Sequence, residues 1–146
     1  ILKAHLFIEF ELEQILKSNL INPQFLKWDH MKYSQKENLI FAMALVPLEE
    51  RNVIHGINQI RNKLAHNLEY EINEEELESK IISQFSSRAK IFYEATLSHF
   101  NKKYGEGLMS KLQCALFTIW EFLIEIRIIP DDLRKQLNSE LKSKGR

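Results

Sequence analysis

The chain has 146 residues, 45% of them hydrophobic and 27% charged, with 20 Lys and Arg balanced by 20 Asp and Glu. Such a chain fits one globular domain with a normal core and needs no disulfide staples, and its composition excludes disorder. The charge is unevenly placed: 8 basic against 13 acidic residues over 1–79, and 12 against 7 over 80–146. An acidic first half and a basic second half could suit an RNA backbone, a complementary partner, a second copy of the chain, or simply a solvated surface.

Only 4 Gly and 3 Pro interrupt the chain, so long helices with short connections are expected. Leu2 to Leu20 reads as a first helix, with Leu2, Leu6, Leu12, Ile15 and Leu16 recurring at helical intervals until Asn22-Pro23 ends it. Ser34-Gln35-Lys36-Glu37 has the form of a capping box and opens a second helix through Leu39 to Val46. Pro47 stops that helix and suits the first turn of a third, Leu48 to His66. Asn73 caps a fourth, with Glu76 in the box position and acids at the positive helix end, expected to run to about Phe100. Gly105 and Gly107 mark a break before a fifth helix, Leu108 to Ile129. That helix is apolar nearly all round, so it is either the bundle's centre or a face shared with another subunit. Pro130-Asp131-Asp132 starts a short basic tail helix. Every long segment has the helical period of about 3.6 residues and none alternates, which predicts an all-α fold. The expected architecture is a compact bundle of about five helices plus a short C-terminal helix, one domain over 1–146.

Several chemistries are disfavoured. Cys114 lies among Leu112, Ala115 and Leu116, as a buried small hydrophobe would, and one cysteine gives no disulfide framework. The apolar stretch Leu116 to Ile129 contains Glu121, Glu125 and Arg127 and is too short and charged to span a bilayer. With no signal-peptide pattern, a cytoplasmic location is expected; the start at Ile1 rather than Met leaves room for a trimmed upstream segment. His5, His30, His55, His66 and His99 lack metal-ligand spacing with matching acids, so no metal is expected. There is no Gly-rich phosphate loop and no basic recognition helix, so neither a nucleotide cofactor nor sequence-specific DNA reading is expected.

The third helix carries the candidate chemistry. At about 100° per residue, Val53, Ile57, Ile60, Leu64 and Leu68 form its core face. His55, Gln59, Asn62 and His66 fall on the opposite side, and any surface helix shows such a polar stripe. Arg61 sits about 140° round from His66, beside the apolar face, where it could also snorkel. Arg and His are the pair a metal-free phosphodiester cleavage needs, one for phosphate charge and one for a proton. Asn62, one turn from His66, is placed to orient the imidazole. Since Arg61 and His66 diverge on a straight helix, a site shared between two copies across a twofold axis is expected. Glu9 and Glu13 read as solvated helix acids, Glu9 also being a possible partner for Arg61 across the bundle.

Arg61-Asn62-Lys63-Leu64-Ala65-His66 resembles the Arg-polar-x-x-x-His motif of the HEPN superfamily of helical bundles. Ser34 to Leu45 and Ile57 to His66 look like the branch that includes the mannitol operon repressor proteins. The likeness covers roughly residues 1–100, and the hexapeptide is its specific part. It implies a metal-independent endoribonuclease acting as a toxin or antiviral effector. Arg61 and His66 would be catalytic at a homodimer seam and Asn62 the polar residue that tunes them, with RNA as substrate and an antitoxin or regulatory protein as a further partner; His55 and Gln59 on the polar stripe, and Glu9, are supporting candidates by position. The alternative it implies is a non-catalytic regulatory or interaction protein, in which the same residues form a polar network.

Overall fold

The computed structural model describes residues 2–67 and 69–129. Among these there are six α-helices and no strand: α1 Leu2–Asn19, α2 Tyr33–Ala42, α3 Arg51–His66, α4 Glu74–Lys80, α5 Ser87–Tyr104 and α6 Leu108–Ile128. The fold is thus all-α, as the period predicts. The expected tail helix at Pro130-Asp131-Asp132 lies outside the described residues, as does Leu68 of the expected core face.

α1 packs on α2, α3 and α6, while α6 also packs on α5. Ile8, Leu12, Ile15 and Leu16 follow one helical stripe of α1 and are buried, meeting Val53, Ile54, Ile57 and Ile60 of α3 and the buried row of α6 in one core. Fully burying each such side chain stabilises the fold by about 1.5–3 kcal/mol. α6 is covered on two sides by α1 and α5, with Leu112, Ala115, Ile119 and Leu123 buried, while Phe117 and Trp120 stay partly exposed. Cys114 is buried beside Thr96 and Tyr93, and burial pushes its thiol up, so it behaves as the apolar filler its neighbours imply.

A partly covered aromatic row crosses from α1 to α5 over α6. Successive ring centroids are 6.2 Å (Phe7–Trp120), 6.1 Å (Trp120–Phe117) and 5.7 Å (Phe117–Phe100) apart. They help line an apolar groove of about 590 Å³.

α3 begins at Arg51, after a 3-10 turn at Leu48–Glu50, rather than at Leu48, and three further differences from the sequence expectation bear on the packing. α2 begins one residue before Ser34, and Lys32 is the cap position, its N–H donating to Gln35 Oε1 at 2.8 Å. It ends at Ala42 rather than Val46, because Ala44 turns into the left-handed region (φ 52°) and the Leu45 N–H closes on the Ile40 carbonyl. That closure swings Val46 into the core, where 2% of it remains exposed.

The third difference is larger. The fourth predicted helix is two helices, α4 and α5, so six replace the expected five. Ser86 caps α5 by accepting from the Ala89 N–H at 3.3 Å, and Ile81, Ile82 and Phe85 in the connection are all buried. Ile81, Ile82 and Phe85 would share one face of a continuous helix as well; the break comes where Ile81 leaves the helical region (φ −124°, ψ −68°) and Ser86 caps a new helix. The Lys80 carbonyl at the end of α4 also lies where a Cβ on Gly56 of α3 would meet it at 2.2 Å, so the two backbones touch. Asn73 does cap α4, accepting from the Glu76 N–H at 2.8 Å. The Glu76 carboxylate, however, turns to Lys63 and Tyr70 instead of closing a box.

Candidate functional site

α3 has the strongest division between apolar and polar faces in the molecule's sequence pattern, and the fold respects it. Val53, Ile57 and Ile60 are buried and Leu64 is half-buried, whereas His55, Gln59, Asn62 and His66 are exposed. Each supporting residue has a distinct partner. His55 Nδ1 lies 3.0 Å from Glu37 Oε1 of α2, and Gln59 Oε1 accepts from Lys80 Nζ at 2.6 Å.

Asn62 Oδ1 accepts from Arg61 Nη1 at 2.9 Å. The amide therefore holds the guanidinium rather than the His66 ring, contrary to the orienting role expected for it. The angular gap between Arg61 and His66 is partly closed in this way: Asn62 lies only about 40° from His66 around the helix, so the bond draws the Arg61 head toward the stripe. His66 is exposed in the last turn, and among the described residues no hydrogen bond or ion pair reaches its ring. With Asn62, Lys63, Asn67 and Tyr70 it lines an open depression of about 540 Å³.

Glu9 does not pair with Arg61. Its Oε1 accepts from Lys36 Nζ at 2.9 Å, and Glu13 Oε2 accepts from the same nitrogen at 2.7 Å. The two acids are therefore a clamp on a Lys36 side chain that is only 5% exposed, not a pair of solvated carboxylates. A buried ammonium needs that compensation. Burial alone would lower Lys36, but the bonds to Glu13 and Glu9 outweigh it and hold the ammonium above the ordinary lysine range. Burial likewise works against ionised Glu13, and the bonds from Lys17 and Lys36 carry it below the ordinary carboxylate range.

The charge of Arg61 is felt by one buried group on another helix. His5 on α1 is 1% exposed, its ring 4.6 Å from that of Tyr33, and among the described residues neither of its nitrogens has a partner. Burial lowers its pKa to about 4; Glu9 opposes that and the Arg61 charge adds to it. His5 sits on the first helix and Tyr33 on the second, so no spacing within one segment could have joined them. Lys63 and Tyr70 were also unmarked: Lys63 lies inside the hexapeptide, and Tyr70 in a connection with no period.

The chain matches no family model, no curated protein and no solved structure. Among the described residues no helix is long and apolar enough to cross a membrane.

Proposed function

We propose that the chain is a metal-independent endoribonuclease of the HEPN type that works as a homodimer. The observation that carries this reading is the end of α3: an unpartnered, exposed His66 in an open depression, with the Arg61 guanidinium held toward the same stripe by Asn62. A network sealed by its own side chains would instead favour a purely structural role for the motif.

In the proposed reaction a ribose 2′-OH loses its proton to His66, and its oxygen attacks the adjacent phosphorus. The P–O5′ bond breaks, and the 5′ oxygen takes a proton, leaving a 2′,3′-cyclic phosphate and a 5′-OH. Arg61 binds the non-bridging oxygens as their charge grows. A twofold axis beside α3 would supply two His66 side chains, one to take a proton and one to give it. A toxin or antiviral role, with an antitoxin or regulatory protein as partner, follows from the motif's resemblance alone.

The test is cleavage of single-stranded RNA in EDTA, with an all-deoxy strand as control. Cyclic-phosphate products from RNA, none from DNA, and loss of at least about 100-fold in rate for Arg61→Ala and His66→Ala are expected. Both variants should melt like the parent, because neither side chain belongs to the core. Equal cleavage of DNA, or activity that vanishes with chelator, would refute the mechanism. Inactivity on diverse RNAs favours the regulatory alternative. A dimer joined through the aromatic row of α6, with the two His66 side chains apart in solvent, would refute the composite site.

A further inference from the structure

The depression around His66 has an aromatic wall whose position is set from three directions. Asn67 ends α3, its Oδ1 accepting the Glu69 N–H at 3.1 Å and its carbonyl accepting the Tyr70 N–H at 3.2 Å. This turn brings Tyr70 back over the last turn of α3, where its ring centroid lies 5.3 Å from Lys63 Nζ. The Tyr70 hydroxyl donates to Glu76, and the other Glu76 oxygen accepts from Lys63 Nζ at 2.6 Å. Glu76 is itself fixed at the start of α4 by the Asn73 cap. Burial works against ionised Glu76, but the bonds from Lys63 and Tyr70 keep it charged below the ordinary carboxylate range, so the clasp persists near neutral pH.

Charge decides what this wall suits. Lys63 is paired with Glu76, so the surface beside His66 presents an aromatic ring and two amides, not a free cation from Lys63. Away from His66 and Arg61 a phosphate finds little on this wall, whereas the flat face of a base finds a ring with its rotamer already set. The half-buried Tyr70 lines the same depression as His66 and Asn62, and Asn62 carries the Arg61 head.

We propose that Tyr70 is the base-stacking residue of the Arg61/His66 site, holding an unpaired nucleobase of an RNA strand while the neighbouring phosphodiester reaches His66 and Arg61. The inference rests on the nuclease reading and adds its recognition element. Because a stacked base must be free of its own duplex, the site takes single strands, and because every base has a π face, it is tolerant of sequence.

The test separates the ring from the hydroxyl. Binding of a fluorescein-labelled single-stranded RNA 12-mer and of the same sequence as duplex is followed by anisotropy, in a His66→Ala background that prevents turnover. Tyr70→Leu should weaken single-strand binding about tenfold or more and leave duplex binding within about twofold. Tyr70→Phe, which keeps the ring but not the bond to Glu76, should recover most of the loss. With His66 intact, Tyr70→Leu should raise KM by a similar factor while kcat changes much less. If Phe and Leu are equally impaired, the hydroxyl clasp matters and the ring does not, which overturns the proposal. Equal loss on duplex and single strand overturns it too. A parent that cleaves RNA with a KM indifferent to Tyr70→Leu leaves the nuclease reading standing and removes this inference. A parent that neither binds nor cleaves RNA removes both.

Discussion

Replacing His5 by Phe isolates a pH dependence that the fold imposes on one side chain. His5 is buried against Tyr33, and among the described residues neither ring nitrogen is hydrogen-bonded. Its folded pKa of about 4 lies below the ordinary 6.5. The unfolded chain therefore takes up a proton that the native state refuses. Above about pH 7 His5 has no effect on the pH profile; as pH falls through 6.5 its linkage removes stability at about 1.4 kcal/mol per pH unit. The loss is complete near pH 4 and reaches up to about 3 kcal/mol. Phe keeps the ring contact and carries no proton. Its unfolding free energy should lie within about 1.5 kcal/mol of the parent at pH 7 and exceed it by up to about 3 kcal/mol more at pH 4. Urea unfolding at pH 7, 6, 5 and 4 measures the gap, and taking the difference cancels the carboxylates common to both proteins. A gap independent of pH would show that His5 titrates as it does in the unfolded chain, and the reasoning from its burial would fail.

Two further substitutions test the packing that positions α3. Gly56→Ala places a methyl group 2.2 Å from the Lys80 carbonyl oxygen, a backbone atom that cannot rotate away. Despite the better helix propensity of Ala, a net loss of about 2 kcal/mol and a lower melting temperature are expected; an unchanged Tm would mean that α3 and α4 do not touch there. Lys36→Met removes the shared cation and leaves Glu9 and Glu13 facing each other in a half-buried site. It should destabilise by about 3 kcal/mol at pH 7, with much of the loss recovered by adding Glu9→Gln. Additive effects in that double variant would contradict the clamp.

The sequence by itself determined the helical class, most of the helix ends and the two faces of α3. These are local properties: a period near 3.6, a Pro, a pair of Gly and an Asn cap act within a few residues of where they stand. Val53, Ile57 and Ile60 could be assigned to the core, and His55, Gln59, Asn62 and His66 to the surface, from angular position alone. The split between α4 and α5 was half legible, since Ser86 is a good cap, but helical period continues across it. The period carries no sign of the break, because Ile81, Ile82 and Phe85 fall on one face with or without it. The charged pairs were not legible at all. Glu9 and Glu13 look like surface acids until α2 brings Lys36 between them, and Asn62 looks like a partner for His66 until Arg61 takes it. Tyr70 beside His66 is likewise the product of a turn folding back. Partners such as Glu13 and Lys36, 23 positions apart, meet where whole helices cross, and that is set by the burial of the common core rather than by any spacing along the chain.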